Sequence, residues 1–232
     1  MTKTKKIINI TLEVIFILLI IFSLVLIIKW FIDTRNNKKI IDDINTKLNI
    51  EEVRTGKNDI DYDYLVNINS DTVGYIIVEG TSINYPVVKT INNDYYLKHS
   101  FDKSYNSAGW IFMDYRNNIN DKNIIIYGHN MKDGSMFGKL KLLKKNKESY
   151  ITYYDNNIKY RYKVFSIYEI EEEDYYLKTV FNGNEYNNFI NTLKNRSLYD
   201  YGYTPNNEDN IITLSTCTSG SKRLVVHAYR LN

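Results

Sequence analysis

"NIITLSTCTSGSKRLVVHAYRLN" occupies residues 210–232. Two β-branched, apolar runs flank a short polar loop, so the stretch reads as two strands, 210–216 and 223–229. Cys217, the only cysteine in the chain, closes the first run, and Arg223 opens the second. Period-two counting puts His227 on the same face as Arg223 and Val225, and Arg230 on the opposite face.

Working upstream, more short runs of the same character appear: 73–78, 83–88, 109–113, 123–128, 149–154 and 158–170. The last two alternate and are separated by Asp155, Asn156 and Asn157, a hairpin signal. Helices are expected at 135–143 and at 184–196, with a short one in "DYDYLVNIN" (61–69). Eight strands with few helices suggest a closed antiparallel barrel or a sandwich, and pattern does not choose between them. The 22 tyrosines fit half-buried pleated surfaces.

Composition narrows the class. A chain of 232 residues with 44% hydrophobic and 25% charged residues can bury a core of ordinary size. The net charge of +3 and the lack of a dense basic run argue against nucleic acid as a partner. Residues 7–28 are almost wholly apolar, with Glu13 the one charge, and suffice to cross a bilayer as a helix. A cleaved signal peptide is the alternative, but the run is long for one and no small-residue cleavage site follows. Lys3, Lys5 and Lys6 precede the span while Lys29, Arg35, Lys38 and Lys39 follow it, so charge does not fix its direction. A short tail before it and a long domain after it are most simply placed N-in, C-out. Residues 36–55, with Ile40, Ile41, Ile44, Leu48 and Val53 interspersed, read as an amphipathic stalk.

Two readings of Cys217 stand. A lone cysteine after a buried strand packs as a small hydrophobe. A lone cysteine at a strand mouth beside a small polar loop is also where a nucleophile sits, and it then needs a proton partner. His129, in "IIIYGHNMKDG" (124–134), also lies at a strand mouth; His99 reads as a solvated loop residue, and His227 as a pocket or barrel-face residue. Arg223 suits an oxyanion partner, with a surface ion pair as the ordinary alternative and Arg230 as its rival. No metal-ligand spacing, phosphate loop or dinucleotide fingerprint is present, and the acidic run 171–174 reads as a solvated loop.

The ordered set "NNDYYLKHSF", "GWIFMDYRN", "IIIYGHN", "DYYLKTVF" and "TLSTC" followed by an arginine, behind an N-terminal span, resembles the class B sortases over residues 60–231. The resemblance implies a mainly β fold with α elements. The fold it implies is an eight-stranded sortase β-barrel with N-terminal helices and a helix between strands six and seven, preceded by a transmembrane helix. It implies a cysteine transpeptidase of the Gram-positive envelope. Such an enzyme cuts a C-terminal sorting motif of a secreted protein and joins the new carboxyl end to an amine of peptidoglycan or a lipid-linked precursor. By the same resemblance Cys217 is the nucleophile, His129 the acid/base and Arg223 the oxyanion-side arginine. Ser215, Asn93, Leu97, Tyr176 and Leu177 fall on substrate-groove segments. No cofactor or metal is implied. The chain then divides into a cytoplasmic tail (1–6), an anchor (7–28), a stalk (29–59) and a catalytic domain (60–232), with the domain outside the cell. The loop from Cys217 to Arg223 is short for class B, which leaves open the shape of the groove wall there. A hydrolytic cysteine peptidase and a membrane-anchored binding protein with an inert cysteine remain as alternative readings.

Overall fold

The computed structural model describes residues 3–145, 148–156, 158–171, 175–217 and 222–231, without the side chains of Lys3, Lys145 and Cys217. Helix α1 runs from Lys3 to Lys47, followed by α2 (Ile50–Thr55) and α3 (Tyr62–Ile68). The strands are β1 (Thr72–Val78), β2 (Asn84–Val88), β3 (Phe112–Met113), β4 (Asn123–Tyr127), β5 (Tyr150–Asp155), β6 (Ile158–Ile170), β7 (Ile211–Cys217) and β8 (Arg223–Arg230). Helix α4 (Glu185–Arg196) lies between β6 and β7.

The eight strands close into a barrel in the order β1-β2-β3-β4-β7-β8-β6-β5. The barrel is not wholly antiparallel, as the strand pattern suggested: β2 pairs with β3, and β4 with β7, in parallel. A parallel pair needs a long connection, and β5, β6 and α4 supply it between β4 and β7. Alternation within one strand carries no information about its neighbour's direction, so this was hidden from sequence.

Side chains on the strands divide between two cores. Ile124, Ile126, Ile212, Leu214, Leu224, Val226 and Ala228 belong to the main core inside the barrel. Their alternates Ile211 and Val225 turn outward and, with Phe165 and Tyr168, meet α4 through Tyr186, Phe189, Ile190 and Leu193. Those four helix positions recur at helical spacing, which is why α4 buries one stripe. Ser197, at its end, accepts a hydrogen bond from the Ile167 N–H at 3.1 Å and so docks the helix on β6.

Two expected elements differ. The segment 135–143 is a turn followed by a 3-10 stretch, Leu140–Lys145. Gly138 lies so close to the Met131 carbonyl that a Cβ there would stand 2.2 Å from it, and Met136 has φ 49°; neither suits an α-helix. Of 109–113 only Phe112 and Met113 are strand, because Gly109 takes φ 58° and Trp110 turns inward to donate to the Pro86 carbonyl at 2.9 Å.

Helix α1 is one continuous rod of 45 residues. Its most apolar window has a mean hydropathy of 3.1, so it is long and apolar enough to cross a membrane, and its side chains from Thr4 to Ile32 are exposed. From Asp33 onward one stripe is buried: Asp33, Asn37, Ile41, Ile44 and Leu48. Ile41, Ile44, Leu48 and Val53, expected on a stalk, join the main core, so residues 33–53 pack on the barrel.

Candidate active site

Strands β4, β7 and β8 are neighbours in the barrel, and their register brings the three candidate residues together. Tyr127 of β4 aligns with Ser215 of β7, and the Gly128 N–H donates to the Ser215 carbonyl at 3.3 Å. His129 and Cys217 each lie two residues further along parallel strands, so both stand at the same barrel mouth. On the other side, Cys217 pairs directly with Arg223 of β8. Directly opposed residues of an antiparallel pair have Cα atoms about 4.5–5.5 Å apart. Cys217 therefore occupies the middle of three adjacent strand ends, with His129 on one flank and Arg223 on the other.

His129 is held by the loop before β3. Its Nε2 lies 2.9 Å from the Leu97 carbonyl. A carbonyl only accepts, so Nε2 carries the hydrogen and Nδ1 is the nitrogen left to exchange a proton. The His129 carbonyl accepts from the Phe137 N–H at 3.0 Å, closing the following loop. The Leu97 carbonyl comes close because Gly109, at positive φ, has no side chain: a Cβ there would meet the Tyr96 carbonyl oxygen at 2.5 Å, the Leu97 carbonyl oxygen at 2.8 Å and His129 Cδ2 at 3.0 Å. The same loop is tied to α1. Asn37 donates to the Gly109 carbonyl at 3.0 Å and accepts from Ser100 and Asn106. The Asp33 carboxylate accepts from the Ser107 N–H and hydroxyl at 3.0 and 2.7 Å.

The expected groove residues lie in two segments and on β7. In the first, Leu97 is exposed, while Asn93 donates to Asp114 and accepts from the Tyr115 N–H, both at 3.0 Å. In the second, Tyr176 and Leu177 lie in the 3-10 turn Tyr175–Leu177. Leu177 is half-buried. Tyr176 and Ser215 are brought together but buried, their hydroxyls 3.0 Å apart.

His227 does not join the mouth. It is fully buried between the barrel and α4, four residues from Arg223, or roughly 13 Å along a strand. Its Nδ1 lies 2.9 Å from Thr213 Oγ1 and its Nε2 3.0 Å from the Tyr168 hydroxyl. Thr213 donates to Asn123 Oδ1 at 2.6 Å, so it accepts from His227 Nδ1–H, and His227 Nε2 accepts from Tyr168. Asn123 in turn donates to the carbonyls of Tyr176 and Lys178 at 3.1 and 2.9 Å. Burial pushes the His227 pKa down to about 3, so the ring is neutral. Arg230, at the far end of β8, stacks on Tyr160 with its guanidinium 3.9 Å from the ring centroid. His99 is half-buried rather than solvated: its ring stacks on Tyr95 at 3.9 Å.

Among the described residues no group of three or more His, Cys, Asp or Glu is gathered as metal ligands are. The acidic run beyond Glu171, the hairpin residue Asn157 and the loop 218–221 lie outside the described residues. Sequence reasoning passed over Asp33, Asn37, Gly109, Asp114, Arg116 and Asn123. The signal for Asp114 and Arg116 is "MDYRN" (113–117), two opposite charges beside a buried strand.

A family model for the sortase domain matches residues 76–231. Sortase B of Listeria monocytogenes is 36% identical over 195 residues, 80% of this chain and 79% of that one. Among solved structures, sortase B from Bacillus anthracis in complex with AAEK1 superposes with a TM-score of 0.76 at 33% identity, covering 87% of this chain and 99% of that one. The Staphylococcus aureus sortase B–substrate complex gives 0.77 at 29% identity, with the same coverage. The closed barrel, the helix between its sixth and seventh strands and this degree of likeness agree: the chain belongs to the sortase family, in its class B branch, and is a cysteine transpeptidase.

Proposed function

We propose that this transpeptidase works through a thioacyl intermediate on Cys217, with His129 as acid/base and Arg223 as the oxyanion partner. The observation that carries the reading is the order of strand ends, His129, Cys217, Arg223, along β4, β7 and β8. The Cys217 thiolate attacks the carbonyl carbon of the sorting motif, forming a C–S bond and a tetrahedral oxyanion beside Arg223. Collapse breaks the scissile C–N bond, and His129 gives a proton to the leaving amine from Nδ1. An acceptor amine then attacks the thioester, passes a proton to His129 Nδ1, forms the new C–N bond and releases the thiolate. The substrate is a sorting-motif segment of a secreted protein, seated between the Asn93–Leu97 loop and the Tyr176–Leu177 turn. The acceptor is an amine of peptidoglycan or its lipid-linked precursor.

Residues 7–28 anchor the enzyme N-in, C-out, with the catalytic domain outside the cell. The apolar, exposed half of α1 supports this, and the packing of residues 33–53 on the barrel holds the domain close to the bilayer.

The test is peptide cleavage by Cys217→Ala, His129→Ala and Arg223→Ala, with triglycine as acceptor. The alanine at 217 should be inactive, and the other two should lose at least about a hundredfold, the usual scale for such groups. Near wild-type cleavage by folded Cys217→Ala would make that cysteine structural. Product carrying water rather than triglycine under every condition would make the enzyme a hydrolase.

A further inference from the structure

Asp114 follows β3 and is fully buried, yet it is charged. Its Oδ1 accepts from the Arg116 N–H at 3.0 Å and Arg116 Nε at 2.8 Å. Its Oδ2 accepts from Arg116 Nη2 at 2.8 Å, the Tyr127 hydroxyl at 2.9 Å and Asn93 Nδ2 at 3.0 Å. Five donors on one carboxylate exceed what charge neutralisation alone requires. Burial pushes the Asp114 pKa up, but the hydrogen bonds from Arg116 and Tyr127 and the guanidinium charge outweigh it, and the carboxyl is held below its ordinary value.

The donors come from separate parts of the chain. Asn93 lies in the loop after β2. Tyr127 ends β4, two residues before His129. Arg116 reaches further: its Nη2 also donates to the Leu177 carbonyl at 3.2 Å. With Asn123 bonded to the carbonyls of Tyr176 and Lys178, three consecutive carbonyls of the 176–178 segment are held from the β3–β4 side. An ordinary surface ion pair serves no such purpose and contributes about 0–1 kcal/mol. Here the carboxylate is fully buried and the Arg116 side chain is 40% exposed, so the pair runs from the protein interior to the surface.

We propose that Arg116, oriented by Asp114, is a positioning residue that sets the width of the sorting-peptide groove by tying the Asn93 side to the Leu177 side. The proposal rests on the reading of those two segments as groove walls. A planar guanidinium fixes two directions at once, toward the carboxylate and toward the carbonyl; an ammonium fixes neither plane. Losing it leaves the Leu177 carbonyl without that donor and Asp114 without its main partner. The walls then sit at a less defined spacing while the strand ends that carry Cys217, His129 and Arg223 stay in register.

The test uses the full chain in detergent and internally quenched peptides chosen from a library for cleavage by the wild type, with triglycine as acceptor. Arg116→Gln and Arg116→Lys are compared with Asn93→Ala and Leu177→Ala, and iodoacetamide alkylation of Cys217 is followed in each. Arg116→Gln should raise KM about tenfold or more and broaden the peptide profile. Its kcat should stay within about threefold of wild type, and its alkylation rate should be unchanged. Arg116→Lys, which keeps the charge, should restore less than half of the loss. Because Arg116 is partly exposed, the glutamine should fold, and its melting temperature is measured alongside. An unchanged KM and profile in Arg116→Gln, with Asn93→Ala and Leu177→Ala both raising KM, overturns the strap alone. Unchanged KM in all three variants overturns the groove reading beneath it. A glutamine variant that loses kcat and KM in proportion to lost stability also overturns the proposal, since that is what a merely structural pair would do.

Discussion

His227 offers a prediction whose magnitude follows from its burial. In the fold its pKa lies at about 3, against 6.5 for an ordinary histidine. The folded ring therefore stays neutral at pH values where the unfolded chain's ring takes up a proton. The unfolded state binds more protons, so this group's contribution is fully present above about pH 6.5 and is lost as pH falls toward about 3. One pH unit is worth 1.36 kcal/mol for one proton, so between pH 7 and pH 5 the loss is about 2 kcal/mol. His227→Gln keeps a donor and an acceptor but does not titrate. At pH 7 it should cost about 1–3 kcal/mol, because the bonds to Thr213 and Tyr168 are remade imperfectly. At pH 5 its deficit relative to wild type should be about 2 kcal/mol smaller. The assay is urea unfolding of both full chains in detergent at pH 7, 6 and 5, followed by tyrosine and tryptophan fluorescence. A wild-type–variant difference that stays constant across that range would refute a neutral, buried His227 and the donor order inferred for its chain of hydrogen bonds.

Gly109→Ala should reduce kcat/KM at least tenfold while the barrel remains folded by circular dichroism, because its methyl group displaces the Leu97 carbonyl from His129 and a non-glycine residue at φ 58° costs about 1–2 kcal/mol more. Unaltered kcat/KM would show that the Leu97 clamp does not matter to His129. For the anchor, a C-terminal epitope tag on the full chain should be destroyed by proteinase K added to intact protoplasts; a protected tag would reverse the N-in, C-out orientation.

Much of the candidate site was legible because the residues proposed to carry its chemistry are rare or sit at strand mouths. A single cysteine between two apolar runs, and a histidine after "IIIYG", are visible without coordinates. Even the limit on His227 was legible, since four residues of strand separate it from Arg223. Its actual role was not. A histidine on an outward strand face looks the same whether water or a helix covers it, and only α4 packing over β6, β7 and β8 made that face an interior.

By itself the sequence determined the eight extended segments, the helix between the last pairs of strands, the apolar span and the candidate nucleophile. Each depends on local periodicity, on a run of one polarity or on a residue type. The tertiary structure alone decided that β4 lies parallel to β7 and that β8 pairs with the other edge of β7, which is what puts His129 and Arg223 on opposite flanks of Cys217. It alone decided that Asp33 and Asn37 of α1 hold the loop behind His129, and that Asp114 and Arg116 link Asn93 to the Leu177 carbonyl. The physical reason is the same in each case. Periodicity is a property of one segment, whereas strand order, and the partner that satisfies a buried carboxylate or amide, belong to segments tens of residues apart, and they are chosen only when the barrel closes and water is excluded.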